Sequence, residues 1–466
     1  MSQKGTYMRT FTTRRGAATL AGAAAIALTL AACGGADNLG GGGGGSTTGG
    51  GDTDCSDFEA YGKHEGKTVS ITSSIREVEA DQLQDTFEKF TECTGITVQH
   101  NGIGEFENQI VVQAEGGNAP DLAIFPQPGL LKRMVEENYV KEAPESVEKL
   151  VDEGWTEDWK AYGTVNDKFY AAPLMASVKS FVWYSPKAFQ EGGYEIPKTW
   201  DELMTLTDKI ASEHSEGSTR PWCAGIESGG ATGWPATDWI EDLVLRVGGG
   251  DVYDQWVNHE IPFNDAKVKE AAEYVGKILT DDKYVNGGIG DARSIANTSF
   301  NDGGLPILDG ECFMHRQASF YEAQWPQGTN VGEDGEAFAF PLPPVNEGEV
   351  PLLVGGEFVG AFNDKPETEA VQAYMASGTW ANTRVEIGGV TSANKAVDAS
   401  KASSPVLKQA IELLQDENSV VRFDGSDLMP SEVGAGSFWK GMTQWLNKEK
   451  DIDGVLNDIE ASWPAN

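Results

Sequence analysis

Thirteen tryptophans are spread through the 466 residues, and none precedes position 155. Trp183, Trp222, Trp234 and Trp239 crowd into one stretch, and Trp439 follows Phe438 near the end. Flat rings set beside planar polar groups suit a ligand with apolar C–H faces and polar rims, and sugars are built that way. Each ring also has a core reading. Trp183 ends an apolar run, Trp239 shares a helical face with Leu243, and Trp439 keeps core spacing with Met442 and Leu446. Trp234, in "ATGWPATDW", stands between a glycine and a proline, which predicts a loop, where a large ring is less often core. Among polar groups, Glu105 and Asp238 could accept hydrogen bonds from hydroxyls. Arg316 and Gln317 follow Cys312 in "GECFMHRQASF", and an arginine fork suits vicinal hydroxyls. The other reading of Arg316 is a salt bridge to one of the 72 acids.

Other chemistries find less support. His64, His100, His214, His259 and His315 show no pairing at helical spacing, and no two cysteines have ligand spacing, so neither a metal nor a cofactor is expected. Nucleophile elbows, P-loops and HExxH motifs are absent from the sequence, and so are internal repeats. A glycoside hydrolase would need two carboxylates facing each other across the bond. With 72 acids a pair can always be named, but no local motif selects one. Binding without chemistry is the better reading, and the hydrolase is the alternative.

The elements that must position these residues begin with "KTVSITSSI" (67–75), a strand ending in hydroxyls. Glu79 to Gly95 places Leu83, Phe87 and Phe90 on one helical face and closes at Gly95. "ITVQH" is a second strand, "FENQIVVQAEGG" a helix and "PDLAIF" a third strand, so a parallel sheet covered by helices is predicted. Such sheets bind ligands beyond the carboxyl ends of their strands, which points to Ser73, Ser74, Glu105 and the "FPQP" after the third strand. Further on, Thr199 is a predicted cap for the helix that opens "KTWDEL".

The first 54 residues are of another kind. Lys4, Arg9, Arg14 and Arg15 precede an uncharged Ala- and Leu-rich run, as in a secretory signal (residues 1–32). Leu30-Ala31-Ala32-Cys33 resembles the lipobox of bacterial lipoproteins, in which the cysteine becomes the lipidated first residue. Residues 33–54 then form a glycine-rich tether with eleven glycines, too poor in apolar groups to fold. Removing the leader leaves 31 basic against 72 acidic residues, a net charge of −41. Nucleic acid and anionic lipid surfaces are excluded as partners, so contact with a membrane is expected through the lipid alone. The remaining length suits two domains, predicted to act as a monomer. Four cysteines outside the cell allow three disulfide connectivities. The sequential pairing, Cys55–Cys93 and Cys223–Cys312, is favoured because it brackets first the N-terminal segment and then the middle.

Several motifs occur in a telling order: "TFEKFTECTGITV", "APDLAIF", "VWYSPKAFQEGGYEIPKTWDEL" and "MPSEVGAGSFWKGMTQWL". Together they resemble the extracellular solute-binding proteins of bacterial ABC importers that take up sugars. "RPWCAGIES", "GECFMHRQASF" and "SFWKGM" look most like the α-glucoside-binding branch. The resemblance spans nearly all of residues 67–446 and implies a type II periplasmic-binding-protein-like α/β fold. In that fold two lobes flank a ligand cleft, and a membrane permease receives the closed form. Lobe 1 would comprise 67–177 and 358–402, and lobe 2 would comprise 178–357 and 403–466. The chain would cross near Met175–Lys179, which holds Ser177, return near Gly355–Phe362, and cross last near 400–405. By the same resemblance Phe125 and Trp439 stack on sugar, and Gln127 reads polar groups beside Phe125, while Trp183 and Trp234 are further candidates from their own positions in the chain. Gly356 and Glu357 meet the ligand at the return.

Overall fold

The computed structural model describes residues 54–287, 290–346, 348–416 and 418–464. The expected leader, Cys33 and all but the last residue of the tether lie outside the described residues. No helix among those described is long and apolar enough to cross a membrane.

Strands β1 (Lys67–Ser73), β2 (Ile96–Gly102) and β3 (Leu122–Phe125) come first. A short hairpin of β4 (Thr164–Val165) and β5 (Lys168–Phe169) precedes β6 (Ala171–Val178) and β7 (Phe181–Tyr184). Then follow β8 (Arg220–Cys223), β9 (Val285–Asn286), β10 (Cys312–Arg316), β11 (Phe338–Pro341), β12 (Pro351–Ala361) and β13 (Val420–Phe423). One sheet runs β13-β12-β3-β1-β2 with β6 also paired to β12, and the second runs β11-β7-β10-β8-β9. As predicted, β1 lies parallel to both β2 and β3. Their helical connections are the simplest route between parallel neighbours. Val69 and Ile71 alternate into a core that also holds Leu122, Ile124 and Phe90. A second core gathers Trp222, Ile240, Leu243, Val244, Met442 and Ile459 around the other sheet.

The helix predicted over Glu79 to Gly95 is two helices, Glu77–Asp85 and Glu88–Thr94. Tertiary bonds explain the break. Trp380 Nε1 donates to Thr86 Oγ1 at 3.0 Å and the Tyr374 hydroxyl donates to the Thr86 carbonyl at 2.8 Å, so that residue serves other elements. Gly95 closes the second helix at φ 78°, as expected of a glycine there. Thr199 caps its helix through the Glu202 amide, and Glu202 returns a bond to the Lys198 amide. Trp234 departs from expectation. It opens the helix Trp234–Val257 instead of sitting in a loop, because proline is well placed in a first turn.

The chain passes between the sheets three times. The first passage is Lys179-Ser180, between β6 and β7, beside the expected place. The second lies at 342–350, ahead of the expected Gly355–Phe362, because all of β12 belongs to the first sheet. Its glycines serve close approach. A Cβ at Gly355 would stand 2.6 Å from Lys179 Cε, and one at Gly356 2.5 Å from the Met175 carbonyl oxygen. The third passage comes at Asp424 and not near 400–405. Helix Pro405–Gln415 buries Val406, Ala410 and Ile411 in the first core, and β13 pairs with β12. The passages are also bonded together. The Lys179 amide donates to the Leu353 carbonyl, and the Asp424 amide to the Val354 carbonyl, each at 2.8 Å.

Disulfides join Cys55 to Cys93 and Cys223 to Cys312. The second links β8 to β10, which are already parallel neighbours, and so stiffens the strand that ends in Arg316. Peptide mapping without reduction is expected to return both pairs, whereas four free thiols would contradict them.

Candidate functional site

A cavity of about 180 Å³ lies where the three passages meet. From the first sheet's side come Ser74, just beyond β1, and Pro126 and Gln127, just beyond β3, as the strand-end rule predicts. Arg76, Glu77, Glu79, Gly104 and Glu107 complete that wall. Ser177, Lys179, Gly355, Gly356, Glu357 and Asp424 form the floor along the passages. The far wall is aromatic. Trp234 packs on Phe300 at 5.1 Å and on Phe320 at 6.1 Å between ring centroids, and Trp439 joins them.

Three buried polar atoms of this lining have no partner among the described residues: Trp439 Nε1, Gln127 Oε1 and Glu357 Oε2. Buried polar atoms are rarely left unpaired, so these are positions a ligand would complete. Trp439 is only 4 % exposed and Gln127 6 %. Gln127 Nε2 donates to Glu107 Oε1 at 3.2 Å, which leaves its oxygen free toward the cavity. Burial, with Glu79 nearby, raises the Glu357 carboxyl to about 8 against the pull of Lys179 and Arg384. Burial also raises the carboxyls of Glu79 and Glu107.

Behind the floor lies a buried ionic network. Asp238, Glu241, Asp242 and Arg246 project from successive turns of the helix Trp234–Val257. The Lys179 ammonium donates to Asp238 Oδ1 at 3.0 Å and to Asp424, and it stands 5.5 Å above the Trp234 ring. Arg316 bonds Asp242 at 2.8 Å, and Ser180 Oγ donates to Asp242 at 2.7 Å. Arg246 pairs with Asp242 and reaches the carbonyls of Leu342 and Pro351, which begin and follow the second passage. Glu241 accepts from the Gly425 and Ser426 amides after the third. One helix face therefore holds all three passages. Burial pushes the Asp424 carboxyl up, but Lys179 and bonds from neighbours outweigh it and hold it at about 2. Asp238 stays at about 7, since burial and Asp424 outweigh its two cations. Among the described residues, Asp238, Glu241 and Asp424 come close enough to hold a cation. Lys179 supplies that charge.

Of the residues singled out from sequence, Ser74, Gln127, Ser177, Trp234, Gly356, Glu357 and Trp439 line the cavity. Glu105 lies beyond it, its carboxylate against Gly229 and Gly230 of the opposite side. Phe125 is placed elsewhere. It is fully buried and packs on Phe106 and Phe362 in the first core, so it offers no face to the cavity. Trp183 is likewise core, donating to the Gln317 and Ala318 carbonyls. Asp238 and Arg316 belong to the ionic network, and the Gln317 side chain accepts from the Ala318 amide. None of these five reaches the lining. Lys179, Asp424, Asp427, Phe300 and Phe320 went unnoticed in the sequence. "FDGSDL" carried a signal for Asp424, which caps the short helix Gly425–Leu428.

The sequence pattern of the bacterial extracellular solute-binding proteins matches residues 76–379. The chain is 37 % identical over 420 residues to the osmoprotective compounds-binding protein GgtB of Synechocystis sp., covering 88 % of this chain and 96 % of the relative. It is 35 % identical over 411 residues to the alpha-glucosides-binding periplasmic protein AglE of Rhizobium meliloti, covering 86 % and 88 %. Among solved structures it resembles a chitin oligosaccharide binding protein at a TM-score of 0.71 and 16 % identity, covering 84 % of this chain and 97 % of the other. Maltose-bound MalE3 of T. maritima matches at 0.66 and 16 %, covering 84 % and 98 %. The two sheets, the three passages and these likenesses define a two-lobe periplasmic-binding fold, and the chain belongs to the bacterial extracellular solute-binding protein family.

Proposed function

We propose that this protein captures a carbohydrate, a short α-glucoside, outside the cell membrane and delivers it to an ABC-type permease without altering it. The observation that carries the reading is the cavity: an aromatic wall faces unpaired buried polar atoms at the junction of two lobes. Rings cover the apolar faces of a sugar, and the free acceptors and the Trp439 donor meet its hydroxyls. The identity to the alpha-glucosides-binding relative supports the choice of glycoside. Closure of the lobes on the ligand is the signal a permease would read, since the ligand favours the state it contacts on both sides. Calorimetric binding of maltose, trehalose, sucrose and longer glucosides tests this, with hydrolysis followed in the same samples. Tight binding without turnover is expected. Turnover would make the protein the hydrolase, and absence of binding across the panel would overturn the reading.

The same reading tethers a monomer to the membrane through a lipid on Cys33. Cys33→Ser is expected to release soluble protein or leave an uncleaved precursor. Unchanged lipid labelling of that variant would count against the anchor.

A further inference from the structure

We propose that the cavity takes glycosides carrying a protonated amine in preference to their neutral counterparts, with Glu357 receiving the ammonium. The inference rests on the carbohydrate reading above. Six acidic groups line the cavity against two basic ones, Arg76 and Lys179, so a ligand that brings positive charge finds more acidic than basic neighbours. The Lys179 ammonium bonds Asp424, one of the six, and Asp238 behind the floor, which leaves five acidic groups of the lining against Arg76. Arg76 is exposed at the rim.

Carboxylates alone would show only a charged wall. The pairing of buried atoms shows more. Gln127 is 6 % exposed, its amide nitrogen is held by Glu107, and its free oxygen lines the cavity. Glu357 presents a second unpaired oxygen from the irregular pairing of β12 with β6. Gln127 Oε1 is an acceptor and Glu357 becomes one on losing its proton, so an occupant that brings donors can complete both. A hydroxyl offers one, whereas an ammonium offers three and carries the complementary charge. The faces of Trp234, Phe300 and Phe320 also attract a cation.

The proton inventory separates the two ligand types. Glu79, Lys179 and Arg384 are the charged groups acting on Glu357. With its carboxyl held near 8, the empty site keeps Glu357 protonated at neutral pH. An ammonium ligand displaces that proton to solvent and leaves carboxylate and ammonium paired. A neutral glycoside leaves the proton in place.

Titration calorimetry at pH 7, in two buffers of different ionisation enthalpy, compares trehalose and maltose with their monoamino derivatives, one for each hydroxyl-bearing carbon. At least one derivative is expected to bind roughly tenfold tighter than its parent. It should release about one proton on binding, and the parent none. In Glu357→Gln the affinity ratio should fall to about one. Derivatives that all bind no tighter than their parents would overturn the proposal, as would a ratio unchanged in Glu357→Gln. Should that variant not fold, the wild-type proton count decides, since tighter binding without proton release removes Glu357 from the role. If neither parents nor derivatives bind, the carbohydrate reading itself has failed.

Discussion

Lys179→Met is expected to lower the free energy of unfolding by about 3–5 kcal/mol, the range for removing one partner of a buried ion pair. The substitution keeps the stem and removes the ammonium that serves Asp238 and Asp424. Both carboxylates would then stand buried beside Glu241 without their nearest cation. Asp238 retains Arg316 at 3.3 Å, but Asp424 has no other ion-pair partner among the described residues. The pH dependence gives the sign. Asp424 is held at about 2, below the ordinary 3.8, so its contribution is present above that ordinary value and is lost as the pH falls through 2. Without Lys179, burial drives that carboxyl upward instead, and its protonation relieves the variant at acid pH. The gap between wild type and Lys179→Met should therefore be widest near neutrality and narrow as the pH falls toward 2. Urea unfolding followed by tryptophan fluorescence at several pH values measures it. A gap under about 1 kcal/mol at neutral pH would mean that the pair behaves like an exposed one.

The same network shows where sequence reasoning stops. Apolar residues in 67–125 were enough to set three parallel strands, since Val69 and Ile71 of β1 and Ile96 and Val98 of β2 are buried at a period of two. Strand β3 has all four residues buried, so both its faces are covered. A strand buried on both sides does not reveal which way Phe125 turns, and its ring went to the core. The partners of Lys179 lie 59 and 245 residues away, and no local pattern joins them. Asp238, Glu241, Asp242 and Arg246 stand at helical spacing, but a charged stripe at that spacing usually faces water, and here it is buried against three chain passages. Trp234 illustrates a different failure. Glycine before and proline after mark loops and helix starts alike, and the helix that follows decided the matter. The cavity floor at Gly356 and Glu357 came from family resemblance, and the structure added that these residues lie within one long strand.

Trp439→Ala is expected to weaken binding of the tightest glucoside by about 2–4 kcal/mol, the range for a buried aromatic anchor. The ring lines the cavity while Met442 and Leu446, on the same helix, lie in the second core. Its helical spacing therefore reads as core, and its first turn nevertheless supplies a wall of the site. Two losses combine. Removing the ring takes away apolar contact with the ligand, and it removes the Nε1–H that no group among the described residues satisfies. Trp439→Phe separates them. It retains most of the ring, so it should lose only about 1 kcal/mol, near the net value of one hydrogen bond. The ring is also buried, and the alanine variant should melt earlier without ligand. Added glucoside distinguishes the roles, because ligand raises the melting temperature in proportion to its affinity for the folded state. Wild type should gain far more than Trp439→Ala at equal ligand concentration, with Trp439→Phe between them. If Trp439→Ala melts earlier yet binds as tightly as wild type, the ring is core alone, and the stacking surface would have to be Trp234 with Phe300 and Phe320.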